Sequence, residues 1–82
     1  MQLSYDPRRN IAYLRLREPS RVQVETVRLS DEVNVDLAVD GTVYGIELLN
    51  ANAQLRACDD GHFVLVDETA GHRVEVPLPE VA

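Results

Sequence analysis

Three groups of side chains in this sequence are of the types that perform chemistry. The first combines imidazoles with carboxylates, the second is the thiol of Cys58, and the third is a pair of carboxylates, Asp36 and Glu47. Imidazoles and carboxylates are common zinc ligands, a thiolate is a nucleophile, and paired carboxylates act as acid and base when burial separates their pKa values. The members of the first group are His62, His72, Asp59 and Asp60.

The carboxylate pair lies in a stretch whose apolar and polar residues alternate, which indicates strands with one buried face. Asp40-Gly41 predicts a type I′ hairpin turn, because both residues tolerate the positive φ that this turn requires. The predicted pairs are Val33 with Leu48, Asn34 with Glu47, Val35 with Ile46, Leu37 with Tyr44, and Val39 with Thr42. The large apolar residues then share one face, and the carboxylates lie diagonally on the other.

We interpret that other face as the solvated side of a strand pair rather than as an acid–base site, since nothing in the sequence indicates that Asp36 and Glu47 are buried. Gly45 would face Asp36 without a side chain of its own, which predicts a bulge or a close approach by a neighbouring element. Tight packing is favoured there over contact with a ligand. A hydrolase using both carboxylates stays a minor alternative.

The N-terminus predicts a second hairpin. Asp6-Pro7-Arg8-Arg9 suits a type I turn closed by a left-handed Asn10, with Leu3 opposite Leu14 and Tyr5 opposite Ala12. The outer face then combines Ile11 and Tyr13 with basic residues. Tyr and Arg are enriched at interface hot spots, so this face is a candidate interaction surface, with an ordinary exposed face as the equal alternative. Its proposed members are Arg8, Arg9, Tyr13, Arg15 and Arg17.

The remaining segments complete a mainly β pattern. Glu18-Pro19-Ser20 breaks the chain, and Val22–Leu29 predicts a strand that contains a bulge or lies at an edge, because its apolar parity changes. Asn50–Cys58 predicts a short helix with Asn50 as N-cap and Gly61 beyond its end. Residues 62–79 predict a third hairpin, with these pairs: Asp67 with His72, Leu65 with Val74, Phe63 with Val76, Val64 with Glu75, and Val66 with Arg73.

This third hairpin argues against a shared metal site. With His72 opposite Asp67, the two histidines lie five residues apart along the strand direction, which is roughly 17 Å. We therefore expect solvent-facing histidines at strand ends and no metal ligands. Cys58 lies in no nucleophile motif, and a lone cysteine more often packs as a small buried apolar residue.

Composition and charge exclude several function classes. Residues 1–28 carry six Arg against three acidic residues, whereas residues 29–82 carry two Arg against eleven, for a net charge of −6. Such a chain is a poor candidate for direct nucleic-acid binding, which needs several cationic phosphate contacts. The four glycines form no phosphate-binding loop, and no apolar run is long enough to span a membrane. With one cysteine and no signal-peptide pattern, we expect a cytoplasmic protein.

Five motifs lie within about the first fifty residues: Tyr5-Asp6, Asn10 to Leu16, Val35-Asp36, Asp40-Gly41 and Val43 to Leu49. Together they resemble the small bacterial family known as domain of unknown function 2283. They are similar to the pattern Y-D-x-x-x-D/N-x-x-Y-I-x-L followed by D-x-x-G-x-V-x-G-I-E-I-L. The resemblance implies a small β-rich domain without assigned enzymatic activity, and some members resemble the antitoxin partner of a neighbouring ribonuclease-like toxin. This chain departs from the pattern at Ala38, where members often carry Asp, and by its hairpin after Asn52.

The sequence thus predicts one mainly β, antiparallel domain over residues 1–82, with residues 1–50 as the family-like core and residues 51–82 as a short helix and a hairpin. We expect no enzymatic activity and no cofactor, but a homodimeric interaction module that binds a small basic, toxin-like protein through a strand edge or the Arg–Tyr face. The alternative is a small-molecule or metal site at a dimer interface. That site would be lined by Tyr13 and by the candidate ligand residues Asp36, Tyr44 and Glu47.

Overall fold

A computed structural model of the chain describes residues 1–18 and 23–80. Five strands form one antiparallel sheet in the order β1-β2-β5-β4-β3, and two more form a separate hairpin, β6-β7. The mainly β prediction is confirmed. The strands are β1 Gln2–Asp6, β2 Ile11–Arg15, β3 Val24–Arg28, β4 Val33–Ala38, β5 Val43–Leu49, β6 His62–Asp67 and β7 His72–Pro77; helix α1 spans Ala51–Arg56 and a 3₁₀ turn spans Asp59–Gly61.

The N-terminal hairpin has the predicted register, with Leu3 opposite Leu14 and Tyr5 opposite Ala12. Its turn forms because one carboxylate oxygen of Asp6 accepts the backbone N–H groups of Arg8 and Arg9, at 3.0 and 3.1 Å. Asn10 closes the turn in the left-handed conformation, with φ 60°. Turn chemistry therefore determines this register locally.

The predicted register of the central hairpin is correct from Val33 to Asp36 and wrong nearer the turn, where the predicted pairs Leu37–Tyr44 and Val39–Thr42 do not form. Asn34 pairs with Glu47 and Asp36 with Gly45 as predicted, but Leu37 pairs with Val43, which leaves Tyr44 as an extra residue in a β-bulge. Asp40 is absent from the positive-φ residues, and Gly41 has φ 87°. The Ala38 N–H donates to the Thr42 carbonyl at 2.8 Å. The loop thus has three residues and a left-handed glycine instead of the type I′ geometry.

Thr42 accounts for the conformation of Asp40. The Asp40 carboxylate accepts both the hydroxyl and the backbone N–H of Thr42, at 2.7 and 3.0 Å. These hydrogen bonds lower the pKa of the Asp40 carboxyl and tie the side chain to its own loop.

Strand β3 pairs with β4 in an unbroken register from Val24 to Arg28 and forms a sheet edge, so the edge alternative is right and the bulge alternative is wrong for these residues. The predicted break at Pro19-Ser20 and the predicted strand start at Val22 lie outside the described residues.

Helix α1 begins where predicted but is capped differently. Asn50 occupies the N-cap position in a left-handed conformation, and its side chain makes no capping hydrogen bond. The Asn10 side-chain oxygen accepts the Asn52 N–H at 2.7 Å instead, so the β1–β2 turn supplies the cap. The helix ends at Arg56, and Gly61 terminates the following 3₁₀ turn with φ 72°. Neither helix in the described ranges has the length and apolar character needed to cross a bilayer.

The C-terminal hairpin has every pair that the alternation predicts, from His62 opposite Pro77 to Asp67 opposite His72. It stands apart from the main sheet, because β6 and β7 pair only with each other. Its apolar hairpin face consists of Phe63, Leu65, Val74 and Val76, and these side chains are 42, 60, 55 and 50% exposed. An isolated two-stranded hairpin is at best marginally stable, so its docking onto the rest of the domain matters.

The core is small for a chain of this length. Within residues 1–18 and 23–80, the buried apolar residues are Ala12, Tyr44 and Ala51, and the small side chains of Ala12 and Ala51 suit the close packing of α1 beside β2. The molecule is flat, measuring 36 × 34 × 21 Å, and its radius of gyration is 14.1 Å. A compact chain of this length has a radius of gyration of about 12 Å. The fold therefore leaves apolar residues half-buried where a thicker domain would cover them.

Candidate functional site

The polar face of the main sheet brings together residues from both candidate surfaces. Strand registers place Tyr13 opposite Glu47 and next to Gly45, which itself faces Asp36. The Tyr13 hydroxyl donates to one Asp36 oxygen at 2.7 Å, and the Thr26 hydroxyl donates to the other at 2.6 Å. Three strands are thereby tied to one carboxylate. Both acceptor oxygens of Asp36 already have partners within the sheet.

Gly45 makes this arrangement possible. A β-carbon built on Gly45 would lie 2.3 Å from the Tyr13 hydroxyl oxygen and 2.5 Å from the adjoining ring carbon. The phenol therefore crosses β5 directly over the glycine to reach Asp36 on β4. The interpretation of Gly45 as a position of tight packing is confirmed, and the packing group is a side chain of the neighbouring strand.

Glu47 occupies the next row of the same face. The Asn34 side-chain amide donates to Glu47 at 2.9 Å, and the two residues are directly opposite each other. Both are half-buried rather than freely solvated. Asp36 and Glu47 thus share a face, but each carboxylate accepts from neutral donors on neighbouring strands. The arrangement strengthens the sheet through cross-strand polar pairs.

Burial raises the pKa of the Tyr13 phenol above its ordinary value, and the hydrogen bond to Asp36 adds to the shift. The phenol is therefore neutral at physiological pH and acts as a hydrogen-bond donor. Two polar atoms on the face, Arg15 Nε and the Asn34 side-chain oxygen, are buried without a hydrogen-bond partner in the described part of the chain. Buried polar atoms of this kind normally bind water or another group.

The proposed basic residues do not form one patch. Arg8 and Arg9 lie exposed in the β1–β2 turn, where Arg9 is 3.7 Å from Asp6. Arg15 is half-buried at 3.8 Å from Glu18, and Arg17 donates to the Val43 carbonyl at 3.1 Å. Tyr44, proposed for the ligand face, is 8% exposed and belongs to the core. Of the proposed ligand residues, Asp36 and Glu47 remain together, and Tyr13 joins them.

The other chemical groups are separated. His62 and His72 stand at opposite ends of the hairpin pairing, as the register predicts, and His62 Nδ1 lies 3.2 Å from the Asp59 carbonyl oxygen. Residues 1–18 and 23–80 contain no group of three or more His, Cys, Asp or Glu placed to hold a metal ion. Cys58 is exposed, which corrects the expectation of a small buried residue. It lies between the end of helix α1 and the 3₁₀ turn.

Sequence reasoning missed an amide cluster that holds α1 against the β1–β2 hairpin. The Asn52 side chain accepts the Tyr5 hydroxyl and donates to the Pro7 carbonyl at 3.0 Å. Asn10 supplies the helix cap and also donates to the Asn50 side chain at 3.3 Å. Tyr5, Asp6 and Asn10 of the motif therefore build the turn and anchor the helix. The signal available in the sequence was the recurrence of Asn at positions 10, 50 and 52.

Sequence reasoning also missed how open the apolar side of the hairpin is. A cleft of about 370 Å³ separates it from the main sheet, lined by Leu3 and Tyr5 of β1 and by Phe63, Val76 and residues 77–79. Beyond the cleft, Leu65 and Val74 continue the apolar hairpin face toward its tip. Val66 is 49% exposed on the opposite face. Apolar residues on both faces of one hairpin were the available signal, since a solvated hairpin has one polar face.

Comparison with known proteins agrees with the motif resemblance. No curated protein and no solved structure matches the chain. A family model described as "Protein of unknown function (DUF2283)" matches residues 2–52. The matched region contains all five strands of the main sheet and the start of α1, and it ends before the hairpin. Because the model covers more than half of the sequence, the chain belongs to this family of proteins of unknown function.

Proposed function

We propose that this protein is a non-enzymatic protein-interaction module that uses the cleft and the apolar hairpin face. The observation that carries the proposal is the exposure of Phe63, Leu65, Val74 and Val76 together on one side of β6-β7. Contiguous apolar surface of this kind on a small protein is characteristic of a binding site for another protein. The hairpin lies outside the family-matched residues, whereas Leu3 and Tyr5 of the cleft lie within them, so most of the proposed surface is an addition to the common sheet.

The polar sheet face supports the non-enzymatic part of this proposal. Both oxygens of Asp36 accept hydrogen bonds from Tyr13 and Thr26, and Glu47 accepts from Asn34. Here the donors are neutral, and they link strands β2, β3 and β4 to one another or to β5. We assign this network to the stability of the sheet.

Charge indicates the class of partner. The segment that carries the proposed surface, residues 53–82, contains six acidic residues and two Arg. A basic protein with apolar side chains would match both the charge and the cleft, and a small basic toxin-like protein is such a partner. Electrostatic attraction of this kind accelerates association and weakens as salt rises. The antitoxin-like role is therefore the specific form of the proposal.

The proposal is tested by affinity capture from the source cells with three baits: the wild type, Leu65→Asp and Val39→Asp. Val39 is 85% exposed in the β4–β5 loop, so it controls for adding a carboxylate at an exposed apolar position far from the hairpin. We expect a stoichiometric basic protein with the wild type and Val39→Asp, less of it at moderate salt, and none with Leu65→Asp. A partner retained equally by all three baits would contradict the proposed surface, and recovery of no other protein would contradict the function.

A second candidate, a small-molecule or metal site, rests on the two unpartnered polar atoms of the sheet face. Arg15 Nε offers a donor and the Asn34 oxygen an acceptor on the face that carries Tyr13, Asp36 and Glu47. A ligand that binds the folded state raises the unfolding temperature according to its concentration and affinity. A thermal-shift screen with metal ions and metabolites checks this candidate. Stabilisation that is lost on Arg15→Gln would support it, and the absence of any stabilisation would end it for the compounds tested.

A further inference from the structure

The outer edge of β7 is exposed, and its outward backbone groups bond to no other strand of residues 1–18 and 23–80. All six residues of β7 are exposed, whereas His62 and Val64 of β6 are half-buried beside α1 and the 3₁₀ turn. The Leu78 N–H donates to the Gly61 carbonyl at 3.0 Å, which establishes the alternation of hydrogen-bonded pairs along the hairpin. By that alternation, Val74 and Val76 bond to β6. The N–H and C=O groups of Arg73 and Glu75 point away from it.

This edge is complementary to itself. Two antiparallel β7 strands related by a two-fold axis at Val74 would place Arg73 of each copy opposite Glu75 of the other. Four backbone hydrogen bonds would form from the free groups, and both cross-strand pairs would join opposite charges. In a single copy, Arg73 and Glu75 are 3.4 Å apart along the same strand and about half exposed, so both are accessible to a second chain. Pro77 ends the pairing, because it has no N–H to donate.

The surface of the chain has room for such a contact. Its accessible area is 6098 Å². A compact monomer of this mass exposes about 4900 Å², so the excess is about 1200 Å². Each partner in a standard interface contributes about 800 Å². The excess is larger than that contribution, so the chain has enough surface for a stable interface. The C-terminal hairpin exposes apolar residues on both faces.

We propose that two copies of this protein associate through their β7 edges, forming a four-stranded antiparallel sheet in the order β6-β7-β7-β6. The apolar hairpin faces of the two copies become continuous across the axis, with Val74 next to its own symmetry mate and Leu65 on either side. This pairing goes beyond the proposed function, because it uses the strand edge and leaves the apolar face available to another protein. The occupant of the edge is a second copy of the chain.

Charge reversal tests the pairing, with sedimentation equilibrium of the full chain as the readout. Arg73→Glu and Glu75→Arg each place like charges opposite one another, and each is expected to weaken dimerisation at least about tenfold. The double variant R73E/E75R exchanges the charges and is expected to restore association to within about threefold of the wild type. Arg28→Glu is the matched control: it breaks an exposed Arg28–Asp31 pair of 3.0 Å on another edge strand, and it should leave the dimer unchanged.

Amide hydrogen exchange supplies an independent readout. The outward N–H groups of Arg73 and Glu75 should become protected as the concentration of the wild type rises, while those of Val74 and Val76 are protected at every concentration. A chain that stays monomeric overturns the proposal, since charged edge residues then serve only to prevent pairing. A dimer insensitive to the single reversals, or not rescued by the double variant, also overturns it. A monomer that still captures a basic partner through Leu65 would leave the proposed function intact and end only the self-pairing.

Discussion

The five-stranded sheet and the C-terminal hairpin use similar strands in opposite ways. In the sheet, polar side chains on neighbouring strands bind one another, as Tyr13, Thr26 and Asp36 do. In the hairpin, the side chains that alternate toward one face are apolar and about half exposed. The sheet thus pairs its carboxylates with donors on neighbouring strands, whereas the hairpin leaves its apolar groups without cover.

This difference follows the boundary of the family match, which ends at residue 52. Two residues within the match have structural roles: Asn10 caps the helix, and Gly45 leaves space for the Tyr13 ring. The residues beyond the match contribute less to any core, since the described part of the hairpin contains no buried side chain. A family pattern can therefore report how a scaffold is built, and most of the proposed binding surface lies in the segment that the pattern omits.

The largest expected effect is at Gly45. Gly45→Val introduces a branched side chain where even a β-carbon would lie 2.3 Å from the Tyr13 hydroxyl oxygen. The ring must leave its position, and Asp36 loses one of its donors. We expect the free energy of unfolding to fall by about 3 kcal/mol in urea denaturation, as for overpacking in a well-filled site. Gly71→Ala, in the hairpin loop with open space around it, is the comparison and should cost about 1 kcal/mol for its positive φ.

The amide cluster gives the next largest effect. Asn52→Ala removes the partner of the Tyr5 hydroxyl and of the Pro7 carbonyl, both part-buried. We expect a loss of about 2 kcal/mol in unfolding free energy, because two groups lose their hydrogen bonds at once. Tyr5→Phe removes one of these bonds and leaves Asn52 in place, so it should cost about half as much. Equal losses for the two variants would contradict the role assigned to Asn52.

Local chemistry made the N-terminal and C-terminal hairpins predictable from the sequence. The Asp6-to-Asn10 turn and the Asp67–His72 loop fix their registers through neighbouring residues, so alternation was sufficient to pair Tyr5 with Ala12 and Leu65 with Val74. The strand order was not predictable, because periodicity distinguishes the faces of a strand but does not identify its neighbour. The pairing of β2 with β5 depends on contacts about thirty-five residues apart, such as Tyr13 with Glu47.

The candidate site was predictable in part for the same reason. Asp36 and Glu47 share a face because they belong to one hairpin, and the period of two determines that face. Their partner Tyr13 comes from another hairpin, which no local signal connects to the first. The side-chain preference of Asp40 for Thr42 altered the turn and shifted Tyr44 into a bulge. The dipeptide Asp40-Gly41 is compatible with both a type I′ turn and a three-residue loop. The side-chain hydrogen bond from Thr42 to Asp40 selects the three-residue loop.

A smaller effect is expected at the phenol of the sheet face. Tyr13→Phe removes the hydrogen bond to Asp36, which keeps Thr26 as a donor, so the loss should be about 1 kcal/mol. The pKa of Tyr13 is raised in the folded state, so unfolded chains release this proton at lower pH than folded chains do. The wild type's advantage over Tyr13→Phe should be complete below about pH 10 and should narrow as the pH rises further. Urea denaturation of both proteins at pH 8 and pH 11 measures this change. An advantage that does not change with pH would contradict the assignment.

The smallest effect on folding is expected at Leu65, an apolar residue of the hairpin whose side chain is largely exposed. Leu65→Ala should lower the unfolding free energy of the monomer by less than about 0.5 kcal/mol, since Leu65 is 60% exposed. Leu14→Ala, in the middle of the sheet, should lower it by about 2 kcal/mol. Denaturation at low protein concentration measures both. Because the proposed pairing uses the β7 edge and leaves the apolar hairpin face free, both losses should stay the same as the protein concentration rises. A large loss at Leu65 in the monomer would instead place the hairpin in the folding core and remove the contrast between the two regions.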